Sequence, residues 1–432
     1  LDISNDDFIR TTEPRHEGPV ARFVTDLYER DEVYLGTYEG RYCVGCEAFK
    51  QPDELVDGKC PLHGVEPEEV KEENYFFRLS KYVEPLIRLY ESRPDALCPE
   101  ARRNEVLGKL RQGLEDLSMS RVSFAWGIPI PWDPKHVIYV WIEALQNYIT
   151  AVGYGSEEAR FGRIWPADVH LVGKDIVWFH SVIWPAMLMA LDMPLPNTVF
   201  AHGYLQVGGE KMSKSKLTGI SPHELIDAFG SDAYRYYFLR EISFGLDGNF
   251  SWEGMAARYN SDLANDLGNL VSRVLSMVTR YLQGNIPSPP HEGELEAPDR
   301  DLRDTFTYAL ADAERFVDSF ALHEALKAIW RFVRKANAYV EEVAPWALAK
   351  QDDRRRRLEV VLYNLVDALR LIALLTSPIA PRAAQELWRR LGLPGQVEYR
   401  SYPEEGRPGM LPGGARVDVG TPLFPRLEEA AT

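Results

Sequence analysis

The chain has 432 residues, 45% hydrophobic and 26% charged, the balance of a globular protein of two or three domains rather than a disordered one. Lys and Arg total 49 against 65 for Asp and Glu, a formal net charge of −16. That excludes coating of nucleic acid by bulk charge and leaves room for a local basic face. The longest apolar stretch, residues 176–191, is interrupted by His180 and is short for a bilayer span. Residues 1–7 hold neither an initiator Met nor an apolar signal core. A cytoplasmic protein with no membrane partner is expected, its N-terminus missing from this sequence.

Residues 1–125 are mixed and charged, and three of the four cysteines lie there in a cluster. Cys43 and Cys46 form a C-x-x-C hook, and Cys60 and His63 form a C-x-x-H hook shortly after it. Two such hooks predict one structural Zn²⁺ held tetrahedrally by Cys43, Cys46, Cys60 and His63, with no position left open for substrate. The alternative, a redox C-x-x-C pair, does not need the second hook. Cys98, alone before Pro99, reads as a buried or neutral thiol.

In residues 126–205 strands alternate with helices. Residues 136–141 read as a buried strand, followed by a helix containing Tyr148. Residues 169–173 are a second strand, leading into a helix with His180 and Trp184, and residues 198–203 a third. This alternation predicts parallel pairing with crossover helices. Residues 206–255 carry a lysine-rich loop, and Ser221-Pro222-His223-Glu224 reads as a capping box that starts a helix.

From 256 to 392 the signal is helical. Tyr259, Leu263, Leu267, Val271, Val274 and Val278 form one stripe. Residues 322–343 make a second, stopped at Pro345, and residues 358–375 a third, stopped at Pro378. Residues 283–298 read as an interhelix loop, residues 354–357 as a solvated helix start, and residues 393–432 as a Pro/Gly-rich tail wrapping the surface. The expected fold class is α/β plus all-α, a helix bundle docked on a partial α/β domain.

Ligands of open parallel sheets bind beyond the carboxyl ends of the strands. Three unusual residue sets fall at those ends: Trp141 to Ala144, Gly173 to Asp175, and His202 with Gly203. Gly173 permits close backbone approach, and Asp175 is placed to hold a ribose hydroxyl. His180 and Trp184 share one helical face. With Trp141 and Tyr148 they could line an aromatic pocket favourable to a thioether, although each aromatic taken singly fits a core position. The segment 208–216 places three lysines within six residues after two glycines, which suits a mobile loop closing ammonium groups over a polyphosphate. Without further context an ordinary basic surface loop explains it as well.

The motif K-M-S-K-S at residues 211–215, after a parallel sheet, resembles the loop of class I aminoacyl-tRNA synthetases, and the surrounding sequence resembles the methionyl-tRNA synthetases. The resemblance runs through the zinc knuckle at 43–63, residues 126–131, 139–141, 173–176, 179–181 and 184–187, then 266–270 and 344–346. It implies the second half of a Rossmann-type nucleotide-binding fold with a zinc-bearing inserted domain, followed by a helical anticodon-binding domain. It also implies activation of methionine by ATP with Mg²⁺, and transfer to tRNA(Met). By this resemblance Trp141, Ala144, Tyr148, His180 and Trp184 surround methionine. Gly173, Asp175, His202, Gly203 and the loop residues Lys211, Met212, Ser213, Lys214 and Ser215 serve ATP, with Lys211 and Lys214 acting catalytically on the phosphates. Asn269, Arg273 and Trp346 match residues that contact the anticodon. Taken alone, Asn269 and Arg273 read as a solvated pair and Trp346 as a Trp packed at a helix end.

Two departures concern Glu143, where the family more often has Asp, and Leu145, where some members have Pro. A larger one is the lack of an H-x-G-H element: no two of the nine histidines are three residues apart. The expectation is therefore a synthetase fragment that does not make the adenylate alone. Two other readings are a non-catalytic tRNA-binding protein derived from such an enzyme, and a sister synthetase for leucine, isoleucine, valine or cysteine.

Overall fold

The computed structural model describes all residues except 2, 47, 51–54, 123–125, 208–209, 212–219, 401 and 428–432; side chains at 38–40, 42, 46, 48–50, 70–72, 210–211 and 402–403 are also outside the description. The chain forms two compact units, residues 4–202 and residues 203–432 with 1–3.

The first unit opens with the helix Pro14–Glu29. Proline sits in its first turn, and His16, Val20, Phe23, Val24 and Leu27 fall on its buried side at three- and four-residue steps. A long antiparallel hairpin pairs Val33–Cys43 with Glu68–Phe77, Val33 opposite Phe77. A parallel sheet has Thr198–His202 at its centre, with Val169–Gly173 on one side and Leu97–Cys98 on the other. Two of the expected parallel strands are therefore present. The third expectation is corrected: residues 136–141 do not form one strand of that sheet. The strand is Asp133–Ile138, antiparallel to Ser120–Arg121 and Pro129–Ile130 in a separate small sheet, and Trp141 already lies in the helix Val140–Ala144. A short apolar run fits a buried helical turn as well as a strand, and the periodicity cannot separate them. The place in the parallel sheet goes instead to Leu97–Cys98, two residues long. There burial pushes the Cys98 thiol pKa up, so it stays protonated. One core joins Phe23, Phe77, Leu97, Ile149, Trp184, Met187 and Val199.

The second unit is helical beyond residue 250. Each residue of the first stripe, Tyr259 to Val278, is buried as expected. It spans a π-helical stretch, Tyr259–Gly268, that runs into the helix Asn269–Leu282. The second stripe is the helix Leu322–Val343, ended by Ala344 in a left-handed conformation (φ 43°) before Pro345. The third is the helix Arg355–Thr376. Among the described residues of 256–392, two helices of ten residues or more were not anticipated, Ala297–Asp318 and Pro381–Arg390. The first buries Leu302, Phe306, Ala309 and Ala313 among charged residues, and alanines on the inner face mute the apolar signal.

Two further expectations are corrected here. Arg357 is not solvated: it is nearly buried and forms an ion pair with the fully buried Asp299, which also accepts from Tyr339. The residues after Gly392 do more than wrap the surface. Leu411, Val417 and Phe424 enter the helical core, the Tyr363 hydroxyl donates to the Leu411 carbonyl, and Arg390 donates to the carbonyls of Val419 and Thr421. Among the described residues no helix is long and apolar enough to cross a membrane.

Candidate active site

In the parallel sheet Gly173 is the register partner of His202, so the two strand ends lie side by side. Asp175, in the turn Lys174–Ile176, folds its carboxylate back over Gly173. A Cβ there would sit 2.6 Å from the Asp175 Oδ1, so only glycine leaves this approach open. Gly203 has a different reason to be glycine. A Cβ on it would meet the Leu246 carbonyl oxygen at 2.2 Å, a close backbone crossing within the second unit.

Next to these strand ends is a cluster of aromatic rings. The helix Val140–Ala144 places Trp141 in its first turn, and Asn147–Thr150 follows with Tyr148. Trp141 stacks on Phe179, centroids 3.9 Å apart, and meets His180 edge-on at 6.4 Å. His180 lies in a π-helical segment, Phe179–Ile183, that leads into the helix Trp184–Ala190. π-Turns of this kind recur at functional sites. His180 Nδ1 is 2.9 Å from the Ile176 carbonyl and donates to it. That leaves Nε2 as acceptor for the Tyr148 hydroxyl, 2.9 Å away. Burial lowers the His180 pKa, against a smaller opposite push from the Ile176 carbonyl, and raises that of Tyr148. Both are therefore neutral at ordinary pH. Trp184 is fully buried and stacks with Phe23. Ala144 is half-buried at the end of its helix.

Sequence reasoning missed two histidines beside this cluster. His170, on the strand Val169–Gly173, accepts a hydrogen bond from the Trp184 indole at 3.2 Å and packs against Tyr148 with centroids 4.0 Å apart. His16 is fully buried, with Nε2 3.0 Å from the Glu143 carboxylate and Nδ1 2.8 Å from the Thr150 hydroxyl. Glu143, singled out as a departure, thus ties the helix carrying Trp141 to the helix Pro14–Glu29. A buried polar position on a strand or an otherwise apolar helix face was the available signal in both cases.

The metal hooks are described in part. Cys43, Cys60 and His63 bring their donor atoms within 4.8 Å of one another, and His63 Nδ1 is 3.7 Å from each sulfur. Tetrahedral zinc with Zn–S of about 2.3 Å and Zn–N of about 2.0 Å has an S···N edge of about 3.5 Å, so these three fit one Zn²⁺. Gly45 lets the imidazole in, since a Cβ there would lie 2.8 Å from the ring. The Cys46 side chain is outside the described residues.

Of the lysine loop, the backbone of Lys211 pairs with Gln206 in a short hairpin. Its side chain and all of Met212, Ser213, Lys214 and Ser215 are outside the described residues. Ser221 caps the following helix, Pro222–Phe229, by accepting from the His223 N–H. In the helical unit Asn269 and Trp346 are exposed. Arg273, four residues beyond Asn269, pairs with Glu341 at 2.6 Å. Trp346 follows Pro345 a little beyond Glu341.

Two family descriptions match the chain. "tRNA synthetases class I (M)" matches residues 1–69 and 51–275, and "Anticodon binding domain of methionyl tRNA ligase" matches residues 289–432. A methionine–tRNA ligase of Streptomyces coelicolor is 51% identical over 99% of this chain and 82% of its own length. One from Caldanaerobacter subterraneus is 50% identical over 99% of this chain, which spans just 66% of that relative. Among solved structures, a Mycobacterium tuberculosis methionyl-tRNA synthetase bound by methionyl-adenylate superposes with a TM-score of 0.91 at 40% identity. That match covers 98% of this chain and 84% of the other. With family models matching both units and a relative 51% identical over nearly the whole chain, the chain belongs to the methionyl-tRNA synthetases, the methionine–tRNA ligases of class I.

Proposed function

We propose that the complete protein joins methionine to tRNA(Met) at the expense of ATP, and that the aromatic cluster of residues 4–202 is its methionine pocket. The observation that supports this best is the contact of Trp141 and Tyr148 with His180, to which Trp184 is joined through His170, in one neutral, largely buried group. A thioether side chain suits such walls, where a charged side chain does not. Gly173, Asp175 and His202, at the adjoining strand ends, take the adenosine side. Gly203 stays in the ATP set, although its close backbone crossing accounts for the glycine. A carboxylate oxygen of methionine attacks the α-phosphorus, the bond from that phosphorus to the β-bridging oxygen breaks, and pyrophosphate leaves. A hydroxyl of the tRNA's terminal ribose then attacks the acyl carbon and AMP departs. Mg²⁺ bound with ATP supplies further charge neutralisation at the phosphates.

Lys211 and Lys214, with Met212, Ser213 and Ser215, act on the phosphates, where charge on the leaving group is greatest in the transition state. In the complete enzyme Lys214→Ala is expected to lower kcat of methionine-dependent pyrophosphate exchange by ~10²–10³ with methionine KM little changed; unchanged turnover rejects the role. Asn269, Arg273 and Trp346 read the anticodon, two by hydrogen bonds to base edges and one by stacking. The fold reading is the second half of a Rossmann-type domain with a zinc-bearing insertion and an anticodon bundle, working in the reducing cytoplasm. Cys43, Cys60 and His63, with Cys46 as fourth ligand, hold a structural Zn²⁺. Metal analysis should find one zinc per chain, lost in Cys60→Ser, and an equal zinc content in that variant rejects the site.

A further inference from the structure

We propose that His170 is a positioning residue for methionine recognition, a neutral imidazole at the back of the pocket that fixes Trp184 and Tyr148 and so sets the cavity's shape. The inference rests on the methionine-pocket reading above and extends it to a residue outside the aromatic set.

His170 and Val172 occupy the buried face of the strand Val169–Gly173, while Leu171 points outward. An inward position on a buried strand ordinarily takes an aliphatic side chain. Here the imidazole is 3% exposed and does two things at once. Its Nε2 accepts the Trp184 indole N–H at 3.2 Å, and its ring lies against Tyr148, tilted 32° with centroids 4.0 Å apart. Tyr148 in turn donates to His180. Three walls of the pocket are thus held in one connected set, with His170 in the middle and anchored on a strand. Trp184 is fully buried, so its N–H has no water to fall back on, and losing the acceptor leaves it unsatisfied. Burial, reinforced by His180 nearby, pushes the His170 pKa down to about 3. The Nε2 lone pair is therefore free to accept across the physiological range.

The test uses the complete enzyme and methionine-dependent pyrophosphate exchange, with methionine KM and ATP KM measured separately. His170→Leu keeps the bulk and removes the acceptor, whereas His170→Gln returns a carbonyl oxygen close to the Nε2 position. His170→Leu is expected to raise methionine KM about tenfold, the equivalent of one lost hydrogen bond, with ATP KM within about twofold. His170→Gln recovers most of the loss. In a Trp184→Phe background, which has no N–H to satisfy, the effect of His170→Leu falls below about threefold. Methionine KM unchanged in His170→Leu, methionine and ATP KM rising together, or His170→Gln behaving as His170→Leu each overturns the proposal. If His170→Leu does not fold, His170→Gln decides it: near-native methionine KM supports the role and a tenfold rise rejects it. A wild-type enzyme with no methionine-dependent exchange overturns the pocket reading itself, a different result from all of these.

Discussion

Trp184 and Trp346 carry the same side chain into opposite surroundings. Trp184 is fully enclosed, bonded through its indole to His170 and packed on Phe23. Trp346 is 38% exposed on a short helix after a left-handed alanine and a proline. One is part of the architecture that it shapes, whereas the other is presented to whatever arrives. Recognition of a small apolar side chain needs walls that do not move, and on the reading proposed above the pocket is made of core. Recognition of a splayed base needs a free face, and on the same reading the anticodon surface is made of what the core leaves out.

Truncating both indoles tests this contrast. Trp184→Ala is expected to cost ~3–5 kcal/mol of unfolding free energy, because the enclosed site cannot collapse around the loss. Trp346→Ala should stay within about 0.5 kcal/mol of wild type. Denaturant titration of each variant reads the difference, and comparable losses erase the comparison. A smaller effect belongs to tRNA. If Trp346 stacks on a base worth ~1–3 kcal/mol, Trp346→Ala raises the tRNA KM in aminoacylation roughly 5- to 150-fold and leaves adenylate formation unchanged. Equal losses in both reactions refute the stacking role.

Acid sensitivity tests the first unit by itself. His170 at about 3 and the lowered His180 both sit below the ordinary value of 6.5 because burial disfavours their charged forms. Below pH 6.5 the unfolded chain binds protons that the folded unit refuses, so stability falls as the pH drops below 6.5, for His170 down to about 3, by up to about 1.4 kcal/mol per pH unit for each histidine while its folded form stays neutral. The helical unit carries His323, lowered by the same cause, and Glu386, held at about 2 by Arg389, whose contribution is lost only at stronger acid. Denaturation followed at pH 7, 6 and 5 should show residues 4–202 weakening first. A pH-independent midpoint for that unit contradicts the buried-neutral description of its histidines.

The sequence made the two units legible to very different degrees. In the helical unit, runs such as Leu326, Ile329, Val333, Ala336 and Val340 announce a buried face because one element supplies the whole pattern. The helix Ala297–Asp318 escaped notice because alanines face the core where larger residues mark the other helices. In the first unit the pairing depends on segments far apart. Two residues at 97–98 complete a sheet begun at 169, and nothing local in Leu97–Cys98 distinguishes them from a turn. The clustered residues Trp141, Tyr148 and His180, which the structure places in contact, were picked out as a set by family resemblance. Their supports were not: His16 reaches Glu143 from 127 residues away, and His170 meets Trp184 only once strand and helix have packed.

The wide π-turn at Phe179–Ile183 has a consequence for how the aromatic cluster tolerates change. Such a turn holds one residue more than the α-helix that continues from it. Deleting a residue within that turn would restore ordinary α-winding and change which of its side chains face the aromatic cluster, His180 among them. The pairing of His180 with Tyr148 would be disturbed without either side chain having been substituted. Over this stretch the chain is constrained in its count of residues as strictly as in their chemistry.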